Sequence, residues 1–393
     1  MDLAYTTEQD MLAESIQRFI ATEYDLTTRK NLVASDLGYS TQHWQTFAEL
    51  GWLGMSIPEA YGGLGGDLVD TMIMFEEFGK GLVLEPTLSS LVLFAGALEL
   101  AGSDEHKHHY LPALGAGDLT GCLAYVEADE PTNFNFVATT ALKTGDHYQL
   151  NGTKSVVLNA ASADVILVSA RTEGQATDPR GISLFLVPGD SEGLLRKDYP
   201  TVDGLRASEV LLENVRVPAS ALVGAEGAAS QTLNTVINRG ILAISAEAVG
   251  AMAVLYQSTI DYTKQRVQFD HPPIRVSSRK TPAHRDVHRI QPGKVAVHES
   301  DHAPESELRR RTTPHPCSEV SDRQNLTLCR SKCRSAPRRY GDDRRSGHCP
   351  LFQTPDDDRC DLWPHGHSFR CLCPIELFIK GASWAMPGSK RIC

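Results

Sequence analysis

The apolar residues of this chain change their spacing twice, and that order of spacings constrains the fold more than any single motif. From Thr6 to Gly115 they recur at three and four residues, from Leu119 to Pro218 they alternate, and from Glu226 the helical spacing returns. Short β-rich runs such as GCLAYVEA, HYQLNGTKSVVL, ADVILVSART, GISLFLVPG and ASEVLLENVRVP are separated by Gly, Asn, Asp and Pro. Such runs read as an antiparallel barrel or sandwich between two helical blocks, with Asn151-Gly152 as a two-residue hairpin turn.

In the first block, Met11, Ile16, Phe19 and Ile20 form an apolar stripe, and Thr6 or Thr7 can cap the helix that carries it. Further helices are expected over Trp44 to Leu50, Leu68 to Gly79, Pro86 to Ala101 and Asp104 to Gly115. The glycines at 62, 63, 65 and 66 read as a turn. A phosphate cradle would need a preceding strand and a following Lys-Ser or Lys-Thr, and neither is present.

In the last block, residues 231–270 place Ile241, Ala248, Met252, Leu255, Tyr262 and Phe269 on one seam. Leu242, Ile244, Val249 and Val254 make other faces apolar, so a long helix buried on most sides is expected. Gly240 and Gly250 would let a neighbouring helix come close. At Pro272 the composition changes. Residues 1–270 hold 16 Lys+Arg against 35 Asp+Glu, a balance of −19, whereas 271–393 hold 22 against 14, a balance of +8, with eight of the nine cysteines. The acidic segment Met1 to Asp25 lacks a basic start and an unbroken apolar run, and no stretch approaches eighteen apolar residues, so the expectation is a cytoplasmic chain without a membrane span.

In order and spacing, ELGWLGMSIPEAYGGLGG, HYQLNGTKSVVLNAASADVILVSART, GISLFLVPG, GLRASEVLLENVRVP and YTKQRVQF resemble the acyl-CoA dehydrogenase family of flavoproteins, from Tyr5 to Phe269. GKGLVLEP at 79–86, KSVVL at 154–158 and TVDGLRASEV at 201–210 resemble the small subunits of pimeloyl-CoA dehydrogenases within that family. The resemblance implies an α+β multidomain fold: a helical domain over 1–117, a middle antiparallel β-barrel over 118–224, the first helix of a truncated C-terminal bundle over 225–270, and a tail outside the family over 271–393.

It also implies FAD as cofactor, an acyl-CoA substrate, a carrier electron-transfer flavoprotein and a larger dehydrogenase subunit as partner. The family reaction needs a carboxylate base for the α-proton, donors on the thioester carbonyl, and a flavin to accept the β-hydride. By resemblance Tyr125, Val126 and Glu127 lie along the flavin, with Glu127 where a flavin-contacting Thr usually stands. Val156, Leu158 and Asn159 occupy the family's Lys-x-Trp-Ile-Thr-Asn segment and replace its stacking face and hydroxyl by aliphatic groups. Arg266 and Phe269 match residues that reach the flavin nucleotide of a neighbouring subunit. Arg206, Ser208 and Arg239 match on the substrate side. No catalytic acid is found: Gln257 and Ser258, near an alternative family position for the base, are not acidic, and Glu247 and Asp261 are expected to be solvated or ion-paired. A chain that lacks the base can serve as a structural subunit, inactive alone.

The tail continues DHPPIRVSSRKTPAHRD where the family has further helices, which suggests a frameshift in or before the codons for Pro272 and Pro273. Cys329, Cys333, Cys371, Cys373, His365 and His367 have irregular spacings and no CxxC, so no metal site is expected. The Arg309 to Arg311 run has no supporting fold or aromatic interleaving for nucleic acid, and the tail reads as a disordered basic segment.

Overall fold

The computed structural model describes residues 5–266. Every expectation about the tail, and that for Phe269, lies outside the described residues.

Helices α1 (Thr7–Glu23), α2 (Leu26–Ala34), α3 (Thr41–Glu49), α4 (Leu68–Gly81), α5 (Gly96–Ala101) and α6 (Asp104–Gly115) build the first domain. Thr6 caps α1 through a reciprocal box: its hydroxyl accepts from Gln9 N at 3.3 Å, and the Gln9 side chain accepts from Thr6 N at 3.1 Å. Ile16 and Phe19 face the core as expected, but Met11 is 64% exposed and Leu12 takes the inward place. Leu12, Ile16 and Phe19 stand at i, i+4 and i+7, the spacing of one helix face. Around Phe19 the rings of Phe47, Trp52 and Phe78 pack within 6 Å, Trp52 edge-on to Phe19 and Phe78 stacked on Phe47.

The glycine-rich connection uses up its own amides. Leu64 N donates to Gly54 O, Gly65 N to Ile57 O and Gly66 N to Met55 O, so none of these three donors is left for a phosphate. After α4 the chain runs as a π-helix over Leu88–Ala95 and passes directly into α5.

The middle domain holds β1 (Gly121–Ala124), β2 (Thr140–Thr144), β3 (His147–Leu158), β4 (Val165–Arg171), β5 (Ile182–Pro188), β6 (Leu194–Pro200), β7 (Arg206–Pro218) and β8 (Leu222–Val223). The expected closed antiparallel barrel is not formed. The sheet is open, ordered β6-β7-β3-β2-β4-β5-β8, and both β1 and the end of β2 pair with β4 in parallel. Its two edges explain why. Strand β6 is solvent-facing along most of its length and carries Arg196, Lys197 and Asp198, while β8 is only two residues long. A charged edge and a stub cannot pair to close a cylinder.

The hairpin turn between β2 and β3 is Gly145-Asp146, with Gly145 at φ +65°. Asn151-Gly152 instead sits inside β3 at a bulge. There Gly152 is required by contact, because a Cβ would lie 2.5 Å from the Thr139 hydroxyl oxygen.

Helix α7 (Ser230–Gln265) follows. It crosses α4 backbone to backbone: a Cβ on Gly250 would lie 1.8 Å from the Glu76 carbonyl oxygen, and one on Gly79 would lie 2.0 Å from that of Glu247. Its burial is narrower than the sequence suggests. Buried positions run from Leu233 to Met252 and then stop, leaving Val254 and Tyr262 each 40% exposed. Length and a mean hydropathy of 1.4 over eighteen residues would let α7 cross a bilayer, but the glycine contact with α4 is that of a helix packed in a protein core.

Candidate functional site

Two backbone segments meet to form a wall at the end of β1. Residues 125–127 continue β1, and β3 bulges beside them, with Ser155 N donating to Val126 O at 2.8 Å. The bulge puts Val156 at φ +53°. That conformation costs a β-branched residue about 1–3 kcal/mol and persists only where neighbours enforce it. Asn159, at φ +57°, turns the chain out of β3 and its amide is held by Arg206 O at 2.9 Å. Tyr125, Val126 and Leu158 are buried in this wall and Val156 is half-buried. The Tyr125 ring meets Phe134 edge-on at 5.4 Å, and burial pushes its hydroxyl above the ordinary tyrosine range.

Behind the wall lies a buried ion pair. The Glu127 carboxylate is turned inward, where Lys154 Nζ donates to it at 2.6 Å, the Thr139 hydroxyl at 2.7 Å, and the amides of Ala138 and Thr139 at 2.7 and 3.1 Å. Lys154 is 0% exposed and also donates to Ser169 Oγ at 3.0 Å. Burial alone would raise the Glu127 pKa, but Lys154 and these hydrogen bonds hold it below the usual carboxylate value. Burial pushes Lys154 down to about 8 against the pull of Glu127. The carboxylate thus serves the interior of the domain, with Lys154 as partner. The pair was legible in part: Tyr148, Leu150 and Lys154 share the inward parity of β3, and a lysine there requires a buried acceptor.

Arg171, which drew no notice in the sequence, clamps the neighbouring loops. Its guanidinium donates to the carbonyls of Asn135, Val137, Ala176, Asp178 and Arg180. Between them, Glu127 and Arg171 fix residues 135–139, which follow the wall.

The residues matched to substrate lie in three different surroundings. Arg206 donates to Val33 O at 2.9 Å and Ser35 O at 2.7 Å, tying the middle domain to the C-terminal end of α2. Ser208 is fully buried and donates to Asp198 on the adjacent strand at 2.5 Å. Arg239 pairs with Glu99 at 2.8 Å in a cavity of about 260 Å³, walled by Ile57, Leu68, Leu91, Val92 and Leu111.

Gln257 and Ser258 stand on the exposed end of α7, where Gln257 donates to Asp261 at 3.0 Å. From Arg239 they are about 27 Å along the helix axis at ~1.5 Å per residue, so they share no site with it. Of the two expectations for Glu247, solvation or an ion pair, full solvation is not what the structure shows. The residue is partly buried, and burial with the nearby Asp203 pushes its pKa up to about 7 against Arg29. Asp261 lies 3.8 Å from Lys264. Arg266 hydrogen-bonds the Tyr262 hydroxyl and lies 5.5 Å from that ring's centre. Among the described residues no three His, Cys, Asp or Glu side chains are grouped to hold a metal ion.

As a flavin site, the wall is apolar in composition, with Val156 half-buried and Tyr125, Val126 and Leu158 buried, which is compatible with the flat ring of an isoalloxazine. It carries no cation for the pyrophosphate; the residue matched to that task, Arg266, stands at the end of α7.

Comparison with known proteins identifies the family. Residues 6–118 match the acyl-CoA dehydrogenase N-terminal domain, and residues 122–215 match its middle domain. The chain is 31% identical over 277 residues to the probable acyl-CoA dehydrogenase YngJ of Bacillus subtilis, covering 69% of this chain and 72% of that protein. It is 32% identical over 271 residues to the mitochondrial long-chain specific acyl-CoA dehydrogenase of Sus scrofa, covering 67% of this chain and 62% of that one. The structure of a glutaryl-CoA dehydrogenase from Mycobacterium smegmatis in complex with FADH2 superposes with a TM-score of 0.73 at 25% identity, covering 83% of each chain. By domain matches, identity and fold, the chain belongs to the acyl-CoA dehydrogenase family of FAD-dependent oxidoreductases.

Proposed function

We propose that this chain is the small subunit of a heteromeric acyl-CoA dehydrogenase, which converts an acyl-CoA thioester to the trans-2-enoyl-CoA and passes electrons to a carrier electron-transfer flavoprotein. The observation that carries the reading is the preformed wall, with its apolar face of Tyr125, Val126, Val156 and Leu158 and its bulge fixed to residues 125–127. FAD, when bound, accepts the β-hydride of the substrate. The chain's own residues hold the ring face and exclude water from it. The α-proton needs a carboxylate, and neither Gln257 nor Ser258 can supply one, so the larger subunit is the source we assign to it. The finer resemblance to pimeloyl-CoA dehydrogenase small subunits supports this division of labour.

A second reading is a non-catalytic structural subunit that shapes a flavin or substrate site on its partner. The exposure of Val254 on α7 after Met252, among the described residues, favours it, because an exposed apolar helix face can take another surface. Co-expression separates the two. A chain that is yellow by itself and becomes active when its partner is added rejects the structural reading, and a colourless chain whose complex carries flavin only on the partner rejects the enzymatic one. We further propose a cytoplasmic location, checked by cell fractionation, and a frameshift at the start of the tail, checked by sequencing the gene across codon 270. A shifted frame without further amphipathic helices rejects the frameshift.

A further inference from the structure

We propose that the buried Lys154–Glu127 pair is a positioning device for the flavin: it fixes the strained Val156 bulge against residues 125–127 and so presets the wall on which the ring lies. The geometry makes the two halves of the wall share one anchor. Glu127 ends the segment that continues β1, and Lys154 is the last residue of β3 before the bulge. Their 2.6 Å contact sits directly behind the Ser155 N to Val126 O bond that joins the same two segments at the surface.

The anchor extends further. Glu127 Oε2 holds Ala138 N and Oε1 holds Thr139, while Lys154 reaches Ser169 Oγ, which in turn bonds Ala124 O at 3.4 Å. Four backbone stretches therefore converge on one fully buried ammonium and one carboxylate. An apolar pair could fill the same volume without loss of stability, as hydrophobic replacement of buried ion pairs often does. What it could not do is hold a β-branched residue in the left-handed region, because that needs directional bonds on both sides.

The inference rests on FAD binding to this wall, so the test has one arm that needs FAD and one that does not. Full-length chain is compared with the charge-free double variant Lys154→Met/Glu127→Leu and with Glu127→Gln, which keeps one acceptor oxygen, enough for Ala138 or Thr139 but not both. The double variant is expected to melt near the wild-type temperature, yet to bind FAD roughly tenfold or more weakly, as when an outer support of a preorganised site is removed. Its bound flavin absorbance should lose fine structure, and Ser155 N–H should lose protection from hydrogen exchange in the absence of FAD. Glu127→Gln should fall between it and the wild type.

A double variant that binds FAD as the wild type does, with an unchanged flavin spectrum and unchanged Ser155 exchange, would overturn the proposal. If the double variant does not fold, Glu127→Gln decides in the same way: weakened FAD binding and faster Ser155 exchange support the proposal, and wild-type values for both overturn it. Should wild-type chain hold no FAD, the flavin reading fails, and the exchange arm still shows whether the pair holds the bulge.

Discussion

The wall of the middle domain and the end of α7 treat their costly groups in opposite ways. At the wall a buried ammonium and a buried carboxylate are each matched by bonds within the domain, next to a strained valine. Along α7 after Met252, Val254 and Tyr262 remain exposed, although two residues earlier, at Gly250, the same helix is packed so closely that only glycine fits. Strain beside satisfied buried charges marks a site that is ready by itself, whereas an apolar helix surface exposed among the described residues is one that another surface can cover.

Substitutions that break the contrast should rank accordingly. The largest effect belongs to Lys154→Met alone. It strands the Glu127 carboxylate in the core and should cost about 3–5 kcal/mol in chemical denaturation. Next is Gly250→Val, which drives a side chain into the Glu76 carbonyl and should cost about 3 kcal/mol, the upper range of overpacking; an unchanged melting temperature would refute the helix crossing. Acid sharpens the comparison. Because the Glu127 pKa is held below its ordinary 4.5, its contribution is present above that pH and lost as pH falls through the folded-state value. Glu127→Gln should remove that part of the acid loss of stability, seen as a flatter melting temperature below pH 4.5. The smallest effect is at the bare helix end, where Val254→Ser should change stability by no more than about 0.5 kcal/mol while lowering the tendency to self-associate in light scattering.

What could be read from the sequence was what depends on near neighbours. The Thr6 cap, the Ile16 and Phe19 face and the close approach at Gly250 all follow from spacing within a few residues. Distant pairing was not legible in the same way. Asn151-Gly152 has the composition of a turn, but the approach of Thr139 makes it a bulge, and Gly145-Asp146 turns the chain instead. Alternating strands suggested closure, and only the charges of β6 and the shortness of β8, seen in their places at the two edges, explain the open sheet. Glu127 matched a flavin contact by resemblance, and the partner of its carboxylate, Lys154, lies 27 residues away on another strand, out of reach of local spacing. The seam of α7 was visible, but which part of it another helix covers depends on the position of α4.

The central claim, which rests on the proposed function, is that the middle domain of this chain binds FAD at its wall. Titration of full-length protein with FAD, followed by quenching of flavin fluorescence, tests it most directly. The account predicts saturable binding at one FAD per chain without acyl-CoA dehydrogenase activity. Flavin fluorescence that does not change as protein is added would contradict it.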